Sequence, residues 1–204
     1  MANCFLINGM TIETLKIFRN LTEEEDEKYT AFLESQKLPN VFVSDPISKI
    51  AFTGHRYVRE NEMQTVLDEV IRMYPGATWI CGGAIGVDSF AAKYAMTHGI
   101  KYILILPFPP EVMSKYWNDV QRNTLEETMA KAISVTVLSQ VYDVAYYQKR
   151  NIAMVDAAQA LIAFFDGSSG GTANCVKYAK TKKGYKIVLY PGPYEKASKR
   201  TPIQ

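Results

Sequence analysis

The amino-acid sequence predicts an α/β fold in which a mostly parallel sheet is covered by helices on both faces. From about residue 48, short apolar segments alternate with stretches of helical periodicity, a pattern typical of parallel sheets. The apolar segments are continuously hydrophobic, as expected of strands that are buried on both sides. Two glycine-rich turns, at 80–92 and 163–179, each follow an apolar segment and lead into a helical stretch. Ligands of such sheets bind at the carboxyl ends of the strands, where both turns would lie.

The strands are predicted where short apolar runs lie between turn signals. The first run ends in Gly54, and the third ends at the proline cluster of 107–110. Strands are expected at 48–54, 77–82, 101–108, 133–139, 161–166 and 185–190.

The helices are predicted between these strands from apolar residues at helical spacing. Gly99 would stop the second of them, because glycine is favoured just after a helix end. Helices are expected at 61–74, 88–98, 111–130, 148–158 and 172–182.

The two ends of the chain lie outside the α/β pattern. In residues 1–47, Thr22 followed by Glu25 indicates a capping box for a helix that ends near Ser35. This segment is expected to pack on the domain or to mediate association. Residues 191–204 contain proline, glycine and basic residues and are expected to form a loose tail. The chain is therefore divided into an N-terminal extension, a central domain at 48–190 and a C-terminal tail.

The composition excludes several functional classes. The chain has 204 residues, of which 48% are hydrophobic and 22% charged, and a formal net charge of +2. Such a small charge is unusual for a protein that coats nucleic acid. No apolar run reaches the roughly 20 residues that span a bilayer, and the N-terminal segment lacks the pattern of a signal peptide. The three cysteines are widely spaced, without a zinc-binding pattern. We therefore expect a cytoplasmic protein with no metal, cofactor or membrane partner.

Four clusters of candidate binding residues follow predicted strands, and the first consists of Gly54, His55 and Arg56. Gly54 would allow the backbone to turn tightly, and Arg56 could bind a phosphate through two parallel hydrogen bonds. His55 and Arg56 could equally be ordinary surface residues.

The second cluster contains Gly82, Gly83, Ala84 and Gly86, followed by Asp88 at a helix start. Backbone N–H groups at such a turn are well placed to bind an anion. Asp88 could cap the helix or hydrogen-bond a ribose hydroxyl, and the sequence leaves both roles open.

The third cluster contains Arg150 and Asn151, which begin a helix and could point into the cleft from its edge. Asp156 could orient Arg150 or cap a turn. Aromatic side chains could stack on a base, although core packing is the commoner role; these are Trp117, Tyr142, Tyr146 and Tyr147.

The fourth cluster contains Asp166, Gly167, Gly170, Gly171 and Thr172. The last three residues could give a phosphate N–H and hydroxyl donors. Asp166 lies at the end of a buried strand and could bind a ribose or act as an acid or base.

Four motifs, taken in order, resemble the YpsA-like branch of the SLOG superfamily: FTGHR, CGGAIGVDSFAA, RNIAMVD and LIAFFDGSSGGTANCVKYA. This superfamily also contains the DNA-processing protein DprA/Smf and the LONELY GUY enzymes. The resemblance covers about residues 48–190. It implies a Rossmann-like, doubly wound fold with a nucleotide-binding pocket, in a bacterial or phage protein that forms a homo-oligomer.

One departure from the family pattern bears on activity. LONELY GUY enzymes release a base from a nucleoside monophosphate and use a glutamate that follows a Gly-Gly-Thr motif. Here Gly171 and Thr172 are followed by Ala173 and Asn174 without that glutamate. The resemblance therefore implies a binding protein for a nucleotide-derived small molecule, for example an ADP-ribose or NAD-derived ligand or a nucleoside monophosphate.

Two other functions stay open beside this main expectation of a sensor, regulator or sponge. One is a nucleoside monophosphate phosphoribohydrolase in which Asp88, Arg150 and Asp166 are the candidate catalytic residues. The other is DNA binding, by analogy with DprA. The nearly neutral charge argues against DNA binding, and we expect no nucleic-acid partner.

Overall fold

The computed structural model describes residues 22–35 and 47–190, so the predicted tail and most of the predicted extension lie outside these ranges. The strands are β1 (Lys49–Gly54), β2 (Thr78–Cys81), β3 (Tyr102–Leu106), β4 (Ser134–Val137), β5 (Ala160–Phe164) and β6 (Lys186–Tyr190). The helices are α1 (Glu23–Ser35), α2 (Glu60–Met73), α3 (Val87–Thr97), α4 (Pro110–Met113), α5 (Asp119–Lys131), α6 (Ala145–Asp156) and α7 (Gly171–Ala179).

The six strands form one parallel sheet in the order β4-β3-β2-β1-β5-β6. The predicted α/β class and its doubly wound parallel sheet are confirmed. The chain moves outwards from β1 to β4 and then returns to β5 on the other side of β1. Because β–helix–β crossovers are right-handed, this reversal places α2, α3 and α5 on one face and α6 and α7 on the other. The carboxyl ends of β1 and β5 therefore form the switch point at which such folds bind ligands.

The core lies on both faces of the central strands. Every residue of β5 is buried, and the Trp79 ring packs between Phe52 and Tyr94, with ring centroids 4.6 Å and 5.9 Å apart. Burial of these large apolar side chains is the main stabilising contribution to the sheet. The packed core fixes where the central strands end, and so it fixes the loops of the site.

The single helix predicted at 111–130 is wrong, because the structure contains two helices there. The short helix α4 ends at Met113, and α5 begins after Asn118. Asn118 accepts a hydrogen bond from Gln121 N, and the Gln121 side chain accepts one from Asn118 N. This reciprocal capping box starts a new helix and leaves Trp117 in the break between the two.

The N-terminal helix α1 ends at Ser35, as predicted. Its Phe32 ring packs edge-on against Phe165, with centroids 5.7 Å apart. The same ring lies against Gly167, where a Cβ atom would come within 2.9 Å of it. Helix α1 therefore rests on the loop that follows β5. No helix within the described ranges has the length and apolar character needed to cross a membrane.

Candidate functional site

The loops that follow β1, β2 and β5 meet at the switch point. His55 Nε2 lies 3.0 Å from Asp166 Oδ1, which joins the first loop to the third. Val87 N donates to His55 O at 3.3 Å, which joins the first loop to the start of α3. The structure thus brings the first, second and fourth predicted clusters to one place.

Asp166 is a hydrogen-bonded carboxylate on the rim of this site. Burial would raise its pKa, but hydrogen bonds from Ser168 and the neighbouring His55 outweigh that effect, so the pKa of Asp166 lies below its ordinary value. Asp166 is therefore ionised at neutral pH and acts as an acceptor. The catalytic role considered for it stays a prediction.

Asp88 and Arg150 form a buried pair beneath the cleft. Their exposed fractions are only 5% and 7%. Asp88 Oδ1 accepts a hydrogen bond from Gly82 N at 2.7 Å, and Arg150 Nη1 donates to Gly82 O at 2.6 Å. The Nη1 atom also lies 3.5 Å from Asp88 Oδ1. Burial raises the pKa of Asp88, while Arg150 and the Gly82 amide oppose that rise.

Gly82 has no side chain because the pair occupies the space. A Cβ atom there would lie 1.7 Å from Arg150 Nη1 and 2.7 Å from Asp88 Oδ1. Gly86 is constrained in another way, since its φ is +95° and a Cβ atom would lie 2.4 Å from His55 O. These glycines of the first turn are required by contacts within the protein.

The second glycine turn is open. Cβ atoms added to Gly170 or Gly171 would have no neighbour within 4 Å in the described parts of the chain. Asn151 Nδ2 donates to Gly171 O at 3.1 Å and so anchors this turn to α6. Thr172 is buried directly behind it. The geometry therefore favours the second turn over the first for close approach of a ligand, and the ligand roles of Gly83 and Ala84 stay predictions.

A small cleft lies beside the first turn. It contains two arginines, Arg56 at an exposed position and Arg150 at a buried one. Arg150 Nε has no hydrogen-bond partner among the described residues. The remaining lining residues are Ala84, Ile85, Pro107, Met113, Trp117 and Tyr147.

Sequence reasoning missed part of this lining. Ile85, Pro107 and Met113 are apolar, and nothing in their local sequence separates them from core residues. Trp117 and Tyr147 were considered for stacking on a base, with packing as the commoner role, and both reach the cleft.

The exposed apolar side chains are concentrated at the same edge of the sheet. The described residues include seven large exposed ones, and six of these lie in loops after β1, β3 and β4 or in the first turn of α5. We call these six the carboxyl-edge surface: Tyr57, Tyr116, Val120, Val141, Tyr142 and Val144. The seventh, Ile133, precedes β4 at the opposite edge. Lys115 Nζ lies 5.3 Å from the centre of the Tyr116 ring, so a cation lies beside one of the aromatic rings of this surface.

Asp156 has neither of the roles predicted for it. It lies 2.5 Å from Lys182 Nζ and accepts a hydrogen bond from the Tyr178 hydroxyl at 2.8 Å. These contacts join the end of α6 to α7. No group of three or more His, Cys, Asp or Glu residues that could hold a metal occurs within 22–35 and 47–190.

A doubly wound sheet whose glycine turns meet at the switch point is the architecture of the SLOG superfamily. The family model of DNA recombination-mediator protein A, a member of that superfamily, matches residues 40–202. The chain therefore belongs to the DNA recombination-mediator protein A family.

Three known proteins resemble the chain. The uncharacterized SPbeta prophage-derived protein YoqJ of Bacillus subtilis (strain 168) is 29% identical over 139 residues, which cover 59% of this chain and 80% of YoqJ. DNA processing protein A of Helicobacter pylori, described for its single-stranded DNA binding mode, has a TM-score of 0.54 at 19% identity over 73% of this chain and 69% of that one. DNA processing protein A (DprA) of Streptococcus pneumoniae has a TM-score of 0.55 at 15% identity. The match covers 78% of this chain and 53% of that one.

The expectation of no nucleic-acid partner is wrong. The chain belongs to a DNA-processing family, and its structural relative from H. pylori binds single-stranded DNA. Net charge is a weak argument against such a partner because it averages over the whole chain. Binding depends instead on which groups are gathered at one surface.

Proposed function

We propose that the protein binds single-stranded DNA along the carboxyl edge of its sheet. The observation that carries the proposal is the carboxyl-edge surface, where exposed aromatic side chains border a cleft with two arginines. Proteins that bind single strands combine cationic grooves with aromatic side chains on which bases stack. The family and the DNA-binding relative support the same function.

The aromatic side chains are suited to stacking. Tyr116 is 80% exposed and Tyr142 is 63% exposed, so both rings offer a face to a base without rearrangement of the core. Tyr57 is also exposed and follows Arg56 directly in the chain. Large aromatic rings in water are costly to leave uncovered, and unpaired bases would cover them.

The charged groups suit the sugar–phosphate backbone. Arg56 is exposed at the cleft and free to follow a phosphate. Arg150 retains an unpartnered Nε among the described residues, and the open turn at Gly170 and Gly171 permits close approach of the strand. Because the net charge is only +2, we expect stacking to contribute much of the affinity and the salt dependence to be moderate.

A second candidate function is binding of a nucleotide-derived small molecule, as in the YpsA-like branch that the motifs resemble. The observation that favours it is the lining of the cleft, where Arg56 and Arg150 lie together with Trp117 and Tyr147, since small-molecule sites combine apolar and aromatic walls with a few polar groups. Such a lining suits a single nucleotide, with the phosphate on the arginines and the base near the two aromatic rings.

A competition experiment separates the two functions. A fluorescein-labelled oligo(dT) of 20 nucleotides is titrated with the protein by fluorescence anisotropy, and unlabelled competitors follow: the same oligo(dT), a duplex of equal length, AMP and ADP-ribose. The proposal predicts saturable binding, competition by single strands and weak competition by duplex. Displacement by AMP or ADP-ribose alone, at micromolar concentration, would favour the second candidate. Absence of oligo(dT) binding at low salt would exclude the first.

A further inference from the structure

We infer that Asp88 is an internal anion that neutralises Arg150 and so limits how strongly the cleft binds phosphate. The inference rests on the proposed function only in taking a phosphate-bearing ligand for the cleft. It makes Asp88 a residue that sets affinity without touching the ligand.

The glycine turn before α3 has the form of an anion-binding turn. Turns of this kind bind anions because their amide N–H groups and the positive end of the helix point to one spot. Here Asp88, in the first turn of α3, accepts the hydrogen bond of Gly82 N at 2.7 Å. A carboxylate of the protein itself therefore takes up one amide N–H of this turn.

The hydrogen-bond donors of Arg150 are only partly used within the described residues. Nη1 is used within the protein by Gly82 O and lies near Asp88. Nε has no partner among the described residues, although the side chain is only 9% exposed. The residue also lines the cleft, so we infer that a ligand oxygen entering there would pair with this donor. Burying such a donor unsatisfied is unfavourable, and a ligand oxygen would relieve that cost.

The charged groups of Asp88 and Arg150 lie close together in the interior of the protein. Charges this deeply buried interact strongly, because little water screens them. With Asp88 ionised, the pair carries almost no net charge. A phosphate in the cleft then gains a hydrogen bond from Arg150 but little net electrostatic attraction. Without the Asp88 charge, Arg150 would be an uncompensated buried cation, and an incoming phosphate would become its counter-ion.

The test uses Asp88→Asn, which removes the charge and keeps a side-chain oxygen to accept from Gly82 N. We expect this variant to bind oligo(dT) several-fold more tightly than the wild type at low salt. The plot of log affinity against log salt should steepen by about one. Its thermal midpoint should be lowered in chloride and should rise more in inorganic phosphate, at equal ionic strength, than that of the wild type.

The matched control is Asp119→Asn, which removes one negative charge from an exposed residue at the same edge of the sheet. It should leave the thermal response to phosphate unchanged. The double variant Asp88→Asn/Arg150→Gln should lose the response that Asp88→Asn gains. A response that persists in the double variant would place the phosphate elsewhere and overturn the inference.

The behaviour of Asp88→Asn and of the wild type also tests the inference in three further cases. Unchanged or weaker oligo(dT) and phosphate binding by Asp88→Asn would overturn the inference. If Asp88→Asn is unfolded in chloride, folding recovered by phosphate supports it and failure to recover overturns it. If the wild type does not bind oligo(dT) while phosphate stabilises Asp88→Asn selectively, the proposed function fails and the inference stands.

Discussion

His55 Nε2 lies 3.0 Å from Asp166 Oδ1, and this contact joins the loops that follow the two neighbouring central strands β1 and β5. Phe165 directly precedes Asp166 in the chain. Its ring stacks on the His55 ring, with centroids 6.3 Å apart. The same Phe165 ring supports Phe32 of α1. The switch point is therefore a packed junction of loops.

The stability of this junction should depend on acidic pH through Asp166. Its pKa is lowered in the folded state, so its contribution is present above the pKa of the unfolded chain, near 3.9, and is lost as the pH falls towards the folded value. Asp166→Asn should therefore unfold at lower urea concentration than the wild type at pH 6, and the difference should shrink at pH 3. A difference that grows on acidification would contradict this assignment.

The buried pair should make Arg150 important for folding. Arg150→Met leaves Asp88 buried without its partner, which should lower the free energy of unfolding by about 3–5 kcal/mol. The control is Arg72→Gln, which breaks an exposed ion pair with Glu69 and should cost less than about 1 kcal/mol. Urea denaturation followed by circular dichroism measures both. Equal effects of the two substitutions would mean that the buried pair does not stabilise the fold.

Alanine substitutions in the two glycine turns should differ in their effect on stability. Gly86→Ala meets a positive φ and the His55 carbonyl, and we expect a loss of about 1–3 kcal/mol. Gly171→Ala enters open space at the start of a helix and should change stability by less than about 1 kcal/mol. Thermal denaturation of both variants checks the contrast, and a destabilised Gly171→Ala would show that the second turn is not open.

The carboxyl-edge surface should carry the affinity for single strands. If bases stack on Tyr116 and Tyr142, each alanine substitution should weaken oligo(dT) binding by about 1–3 kcal/mol. Tyr116→Ala should leave stability nearly unchanged, whereas Tyr142→Ala also removes a ring contact with the buried Phe108. Ile133→Ala provides the matched control, because Ile133 is comparably exposed at the opposite edge. Fluorescence anisotropy measures all three, and a similar loss in Ile133→Ala would point to a general effect of surface change.

Arg56 should contribute through charge. Arg56→Gln removes an exposed cation at the cleft and should reduce the slope of log affinity against log salt by about one. Arg72→Gln makes the same chemical change in the last turn of α2, away from this edge, and should leave the slope unchanged. Oligo(dT) titrations at several salt concentrations test the pair. If both variants keep the wild-type slope, Arg56 does not contact phosphate.

The strands other than β4 were predictable because burial on both faces leaves a continuous apolar run, whereas β4 is a partly exposed edge strand. Fold class and the meeting of the turns followed from the same pattern. The break between α4 and α5 was missed because helical spacing continues through it, and the capping role of Asn118 depends on one local hydrogen-bond pair. The pairing of Asp88 with Arg150 could not be predicted, since only tertiary packing brings α3 and α6 to the same glycine.

Gly82 and Arg150 are 68 residues apart in the chain and touch through a space that admits no Cβ atom. This exclusion gives a rule for recognising related sequences. A relative with any side chain at the position of Gly82 should lack an arginine at the position of Arg150, and a relative that regains the arginine should regain the glycine. The two positions are thus expected to change together during divergence, as a linked pair that marks proteins built with the same buried ion pair.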